Sequence, residues 1–340
     1  MKHQIGRKQQ GLTLVEILVA LVISLVLMIG VTQIFVANKV TYRTQEGLAR
    51  LQENGRYAIN RIAKSVREAG YFGCAGMEIT NPNVIANNPP ADLSSINIET
   101  AIDGDDNVTS GNAFNAKAGT DIITLRGAGD EGVGLTGNLT PINANIQISN
   151  GYDKFDADDL IMITDCRTAD LFRATSVSTG NTGGVKITIA HSQSSNTSNN
   201  LSKPYGSDAF VLRPFIHSYF IRDTGRDNDA GDDIYALYYQ DMNANVFELV
   251  EGVSDLQVLY GVDQDGNRAA DVYMTATQVD AVGWDKVVSA RLSLLTDSVE
   301  NSLQEPASYS FLGNTSIPAA GDFRLRQEFT RLVAIRNRTL

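Results

Sequence analysis

Cysteine is scarce in this chain of 340 residues: there are two, Cys74 and Cys166. That count excludes a disulfide-dense small scaffold and a four-cysteine zinc site. Histidine occurs three times, at His3, His191 and His217. None has the spacing of a zinc pair or of a Glu-flanked helical metal motif. No G-x-S-x-G nucleophile elbow is present either. Basic residues are outnumbered, 28 against 39 acidic ones, for a formal net charge of −11. Nucleic acid as the main ligand is therefore excluded, because phosphate binding needs a basic patch. With 43% hydrophobic and 20% charged residues the chain is a folded protein and not a disordered one. At about 100–200 residues per domain, its length admits two domains.

Acid is also missing from the first eleven residues, which are polar and basic through Lys2, Arg7 and Lys8. From Leu12 to Ala37 the chain is almost wholly apolar and holds one charge, Glu16. A helix rises about 1.5 Å per residue, so this run spans a bilayer core of about 30 Å. The basic flank keeps the leader cytoplasmic and sends the C-terminal domain outward. A secretory signal peptide would place small residues after the run, but Asn38, Lys39, Val40, Thr41 and Tyr42 follow. A plain signal anchor leaves Glu16 unexplained, since a carboxylate in a membrane segment costs about 2.5–3.5 kcal/mol at the helix centre.

Gly11-Leu12-Thr13-Leu14-Val15-Glu16 resembles the type IV prepilin processing site, with Gly before the cut and Glu at the fifth mature position. The resemblance implies that a prepilin peptidase cuts after Gly11 and methylates Leu12, and that the apolar run is kept as the stem of the mature subunit. It also implies that Glu16 pairs with the N-terminal amine of a neighbouring subunit. That pairing sets register, because a misplaced subunit leaves two unpaired charges in an apolar medium. Two departures stand out. Leu12 sits where Phe is more usual, and no Pro interrupts the stem, where Val31-Thr32-Gln33-Ile34 is found instead. Gly30 is then the weak point of the stem.

Beyond the membrane run, Leu48, Leu51, Ala58, Ile62, Val66 and Ala69 recur at helical spacing. Charged residues fill the other positions, so an amphipathic helix lying on a globular domain is predicted up to Gly70. Gly47 and Gly55 interrupt the stripe. The turn Gly70-Tyr71-Phe72-Gly73-Cys74-Ala75-Gly76 is similar to one in the PilW family of minor pilins. So are the stretch from Leu249 to Gly261, its continuation from Val287 to Leu295, and the C-terminal run from Phe329 to Arg338. The first of these three is also similar to the J-type minor pseudopilins of type II secretion. Residues 77–245 carry no resemblance.

Strands are predicted at 121–126, 160–164, 171–177, 185–190, 209–212, 216–222, 234–239, 246–250, 256–260, 287–295 and 325–336. The fold expected is α+β: a long N-terminal pilin helix packed on an antiparallel β-sheet domain with an elaborated middle. The divisions are a leader at 1–11, a transmembrane stem at 12–37, its amphipathic continuation at 38–70 and a β-rich globular domain at 71–340.

Other candidate chemistry is thin. Gly127-Ala128-Gly129-Asp130-Glu131-Gly132 satisfies G-x-G-x-x-G, but two acids sit inside it and no helix follows, so a surface loop is expected. Asp263, Asp265 and Asn267, with Asp271 beyond, place oxygen ligands at alternate positions around a Gly, as calcium loops do. Met274 stands where an EF-hand needs Glu, so a weak calcium site and a solvated turn both stay open. Asp223, Asp227, Asp229, Asp232 and Asp233 form a second acidic cluster with the same two readings. Calcium apart, no cofactor is expected. In an oxidising periplasm Cys74 and Cys166 can pair, closing a long loop for a model gain of about 4–5 kcal/mol. Two reduced buried thiols are the alternative.

The resemblance implies a non-enzymatic minor pilin. It sits in the inner membrane with its domain in the periplasm, then in the fibre near the tip. Its implied partners are the prepilin peptidase, other minor pilins, the major pilin, the inner-membrane assembly platform and a tip adhesin. Motility, adhesion and DNA uptake depend on it indirectly, without direct nucleic-acid binding. A type II secretion pseudopilin and a membrane-anchored adhesin are the alternatives.

Overall fold

The computed structural model describes residues 13–73, 82–90, 100–129, 132–136, 140–143, 145–149, 155–179, 186–318 and 321–339. Helix α1 runs over Leu14–Glu68, 55 residues, which is about 80 Å at a rise of 1.5 Å per residue. Ala69 leaves the helical region and Gly70 takes a φ of 72°, the left-handed turn predicted for it. The end of the helix is tied down by two bonds. Asn337 Nδ2 donates to the Ala69 carbonyl at 3.2 Å, and the Gly70 N–H donates to the Arg126 carbonyl at 2.9 Å. Carbonyls that lack an intrahelical partner are met in this way.

Nineteen strands, numbered in chain order, occur among the described residues. Strands β15 (Val272–Met274), β14 (Val253–Val262), β16 (Val287–Asp297) and β19 (Arg326–Ala334) form an antiparallel sheet in that order. A second antiparallel sheet is built from β13 (Val246–Glu251), β12 (Asp233–Gln240), β11 (Pro214–Asp227), β3 (Ile122–Ala128) and β2 (Ile102–Asp105). Gly252 at φ 74° carries the chain from β13 in one sheet to β14 in the other. A Cβ there would lie 2.6 Å from the Asp297 carbonyl oxygen, so only glycine fits. The stem packs against β16 and β19 of the first sheet and β13 and β3 of the second. It therefore rests on two sheets and not on the single one expected.

The elaborated middle has its own sheets. One is β1 (Asn83–Val84), β7 (Ala169–Arg173), β6 (Leu160–Thr164), β10 (Phe210–Leu212) and β4 (Val133–Gly134), with β1 parallel to β7 and the rest antiparallel. The other is β5 (Ile146–Ser149), β9 (Lys186–Ala190) and β8 (Ser176–Thr179). A short hairpin, β17 (Tyr309–Phe311) and β18 (Asn314–Ser316), sits beside β19. One apolar cluster joins the stem to the first two sheets, a second fills the middle lobe, and a third joins the lobe to β3, β11 and Phe72.

Every predicted strand is present. The run at 171–177 divides into β7 and β8, with Ala174 and Thr175 between them. The run at 121–126 continues to Ala128, so Gly127 and Ala128 are buried in a strand and do not form a surface loop. A Cβ on Gly127 would stand 2.9 Å from the Glu68 carbonyl, which shows how closely β3 approaches the end of the stem.

The buried face of the stem is Leu51, Gly55, Ala58, Ile59, Ile62, Ala63, Ser65 and Val66. Each fully buried Leu, Ile or Val contributes about 1.5–3 kcal/mol. Leu48, predicted on that face, is 41% exposed. Gly47 faces the domain in its place, and a Cβ there would stand 2.3 Å from Ser302 Oγ. Leu48 lies about 100° further round the helix and points away. Gly55 is seated the same way, with a Cβ position 2.3 Å from the Phe329 ring. The two glycines that look like interruptions in the stripe are thus its points of closest approach. Gly55→Ala should lower the unfolding free energy by about 1–3 kcal/mol through overpacking. Gly30→Ala, with nothing within 4 Å of the new methyl, should not lower it. Urea titration in micelles, followed by the fluorescence of Trp284, reads the difference; equal midpoints would refute the close-packing role of Gly55.

Candidate functional site: the stem and its tie to the domain

At the head of α1 the Thr13 N–H and Oγ1 donate to Glu16 Oε2 at 2.8 and 3.0 Å, and the Glu16 N–H donates to Thr13 Oγ1 at 3.3 Å. This is a capping box, with Thr and Glu three residues apart. The spacing is visible in the sequence, yet reading Glu16 for assembly alone passes over it. Gly11 and Leu12 lie outside the described residues. From Leu14 to Val36 the large apolar side chains stay exposed, because the domain reaches only the far half of the helix. The helix is long and apolar enough to cross a membrane. Within it, the hydroxyls of Ser24 and Thr32 donate to the carbonyls of Ala20 and Met28 at 2.8 and 2.7 Å, which hides their polarity.

Polar contacts lock the rotation of the helix about its own axis. Thr44 Oγ1 donates to the Ser302 carbonyl at 2.6 Å, and Asn54 Nδ2 to the Glu251 carbonyl at 3.1 Å. Ser65 Oγ and Tyr219 Oη are 2.8 Å apart in the core, and Arg331 bonds Asn60. Because α1 is unbroken, the phase set at these residues is carried to Glu16.

The other candidates divide. Cys166 holds no free thiol, and its proposed partner Cys74 lies outside the described residues. The β14–β15 connection brings carboxylate oxygens of Asp263, Asp265 and Asp271 within 4.8 Å of one another. The loop already uses them. Asp263 accepts the N–H groups of Gly266 and Arg268 at 2.7 and 2.8 Å, Asp265 that of Asn267 at 3.0 Å, and Asp271 that of Gln264 at 2.7 Å. Asn267 in turn accepts the Ala269 N–H at 2.8 Å. Desolvation opposes it, but together the backbone N–H groups of Arg268, Gly266, Asn267 and Asp265 hold the Asp263 carboxyl below its usual range. The second acidic cluster does not converge: among the described residues, Asp263, Asp265 and Asp271 are the only such group. His191 and His217 are not brought together with other metal-ligating side chains, and His3 lies outside the described residues.

Two family models match. The one for type IV pilus-assembly protein W covers residues 218–337, and the one for the prokaryotic N-terminal methylation motif covers residues 6–32. Together the two matches support a PilW-type protein of type IV pilus assembly. It is a membrane-anchored minor pilin of type IV pilus assembly. No curated protein and no solved structure gives a significant match. In this minor pilin the 218–337 match takes in most of β11 and runs on to Asn337, including three of the four strands that carry the stem, β13, β16 and β19; the fourth, β3, lies before it. The middle lobe lies before it. Both families are structural, and processing by a prepilin peptidase and contact with other pilus components follow from them.

One titratable group in the minor pilin stands apart. Burial pushes His217 down to about 4, with the Arg61 charge adding to it and Asp241 opposing. The unfolded ring takes a proton near pH 6.5, and the folded ring does so only near 4. The stability that depends on the neutral ring is therefore complete above about 6.5 and is lost as pH falls toward 4. Between pH 7 and pH 4.5 the wild type should lose on the order of 2–3 kcal/mol more than His217→Phe. Denaturant titrations at the two pH values measure this, and equal losses in both proteins would contradict it.

Proposed function

We propose that this minor pilin joins other minor pilins at the inner membrane, primes fibre assembly there and ends near the tip, with its β-rich domain in the periplasm and then outside the cell. The prepilin peptidase cuts after Gly11 and methylates Leu12, and the stem stays in the bilayer until the assembly platform lifts the subunit into the fibre. The observation that carries this reading is one carboxylate, Glu16, in the otherwise apolar and exposed first half of the helix, residues 14–37. In the monomer its partner is its own Thr13 cap. In the fibre it turns to the Leu12 amine of a neighbouring subunit, and misregister leaves both charges unpaired. The domain then offers lateral and tip surfaces to the major pilin and to a tip adhesin, and no catalytic residue is needed. Cys166 pairs with Cys74 and fastens the middle lobe to the end of the stem. The loop holding Asp263, Asp265, Asn267 and Asp271 takes calcium weakly, since its donors are all oxygen, as a hard cation prefers.

Sheared fibres and washed membranes, analysed by mass spectrometry, test the reading. The peptide beginning at Leu12 with one added methyl should appear in the fibres. Its presence in membranes alone would move the protein to a secretion pseudopilin, and an uncut chain in both would remove the processing step. Glu16→Gln keeps a capping acceptor but loses the charge. It should be processed normally yet enter fibres about seventyfold to four-hundredfold less, as an unpaired charge of about 2.5–3.5 kcal/mol requires. Normal incorporation of that variant would sink the charge-pair argument. For calcium, titration calorimetry of the full chain with calcium chloride should show millimolar or tighter binding that Asp263→Asn abolishes; no heat at all would leave the loop a solvated turn.

A further inference from the structure

Where the middle lobe meets the second sheet there is a cavity of about 280 Å³. Its walls come from the start of β11, the end of β12 and the 241–243 turn on one side, and from residues 158–160 and Arg173 on the other. Such clefts between packed units are common ligand sites, and this one is below the size range of about 300–1,000 Å³ that suits drug-sized molecules. Rings dominate one wall. Phe215 and His217 stack at 4.7 Å, Tyr239 meets His217 edge-on at 5.5 Å, and Phe247 stacks on Tyr239 at 5.1 Å.

His217 is the unexplained part. Its Nδ1 is buried with no hydrogen-bond partner, and the ring makes no hydrogen bond at either nitrogen among the described residues. A buried polar nitrogen left unpaired is uncommon and destabilising. The ring is neutral, so it offers one N–H donor and one bare acceptor. That pair matches a hydroxyl, which both accepts and donates. The charges of the cavity are close to balanced, with Asp158, Asp159 and Asp241 set against Arg173 and Arg213. Arg213 pairs with Asp159, and Arg173 lies 3.7 Å from Asp158. No net positive field favours a phosphate or carboxylate, and no unbalanced acid pair favours a cation. An aromatic wall with a neutral donor–acceptor and planar polar groups at the rim suits a flat, polyhydroxylated ring whose C–H faces are apolar.

We infer that this cavity binds one pyranose residue of a glycan, with His217 reading a hydroxyl and the Phe215 and Tyr239 rings packing against the sugar. The inference stands on the cavity alone, so its failure leaves the role in the fibre untouched, and the reverse also holds.

The full chain in lauryldimethylamine oxide, a detergent without a sugar head, is mixed with methyl glycosides of glucose, galactose, mannose and N-acetylglucosamine. A second arm uses the N-acetylglucosamine–N-acetylmuramic acid disaccharide of cell walls. Saturation-transfer NMR should show transfer to the ring C–H protons of at least one sugar, with affinity falling tenfold or more in His217→Phe and in Asn243→Ala. Binding of a simple glycoside assigns the site to glycans of another cell's surface; binding of the wall disaccharide alone assigns it to the wall that the fibre crosses. If no sugar shows transfer, or if both variants bind as well as the wild type, the inference is overturned. Thermal melts of the variants keep loss of binding distinct from loss of fold.

Discussion

Helix α1 is continuous across two surroundings, and that continuity governs the molecule. Over 58–69 its apolar face lies in the largest apolar cluster, between two sheets. Over 14–37 the large apolar side chains of the same helix stay exposed, so lipid or other apolar helices must cover them. A helix free to rotate at its domain end would present Glu16 in any direction. The Thr44, Asn54 and Ser65 contacts remove that freedom. The domain thereby aims a charge that lies several turns beyond its own edge.

Close approach makes the lock possible. Gly47, Gly55 and, from the sheet side, Gly127 each stand where a methyl group would collide with Ser302, Phe329 or the Glu68 carbonyl. Backbone can then approach backbone, and short polar side chains such as Ser65 and Asn54 can reach across. The C-terminal strands close the arrangement, because β19 pairs along β16 and the residues after it cap the end of the stem through Asn337. Most of that seat, through β13, β16 and β19, lies in the part of the chain matched to the PilW family, while β3 lies before it.

The middle lobe is joined to that frame but stabilised by other means. Asp170, fully buried, accepts from Asn83 Nδ2, the Ser202 N–H, Ser202 Oγ and Tyr205 Oη, which ties β1, β7 and the 201–205 segment around one carboxylate. A buried charge is tolerated when its lone pairs are met this fully. One apolar cluster is the lobe's own and another joins it to β3, β11 and Phe72, and the cleft it forms with the second sheet is bordered by His217.

Much of this was legible from residue order alone. The leader, the apolar run, the lone Glu16 and the stop at Gly70 are local patterns, as is the alternation in β16 and β19, and local patterns survive in one dimension. Strand β2 is not legible in this way, because Ile102-Asp103-Gly104-Asp105 carries no alternation by itself, and β5 alternates over only four residues; the identity of both comes from the neighbours they pair with. The Thr13–Glu16 box is local too, with its two members three residues apart, so the same carboxylate serves both the cap and the head of the stem. Leu48 was placed on the wrong side because apolar spacing cannot tell a glycine that interrupts a face from one that seats it. The sequence by itself determined that a membrane helix continues into a β-rich domain and that one acid marks its head. Only the tertiary structure decided which side of that helix is buried, that two sheets share it, and that His217 stands unpaired in a cleft. Those facts depend on contacts between residues far apart in the chain, and spacing along the chain does not encode such contacts.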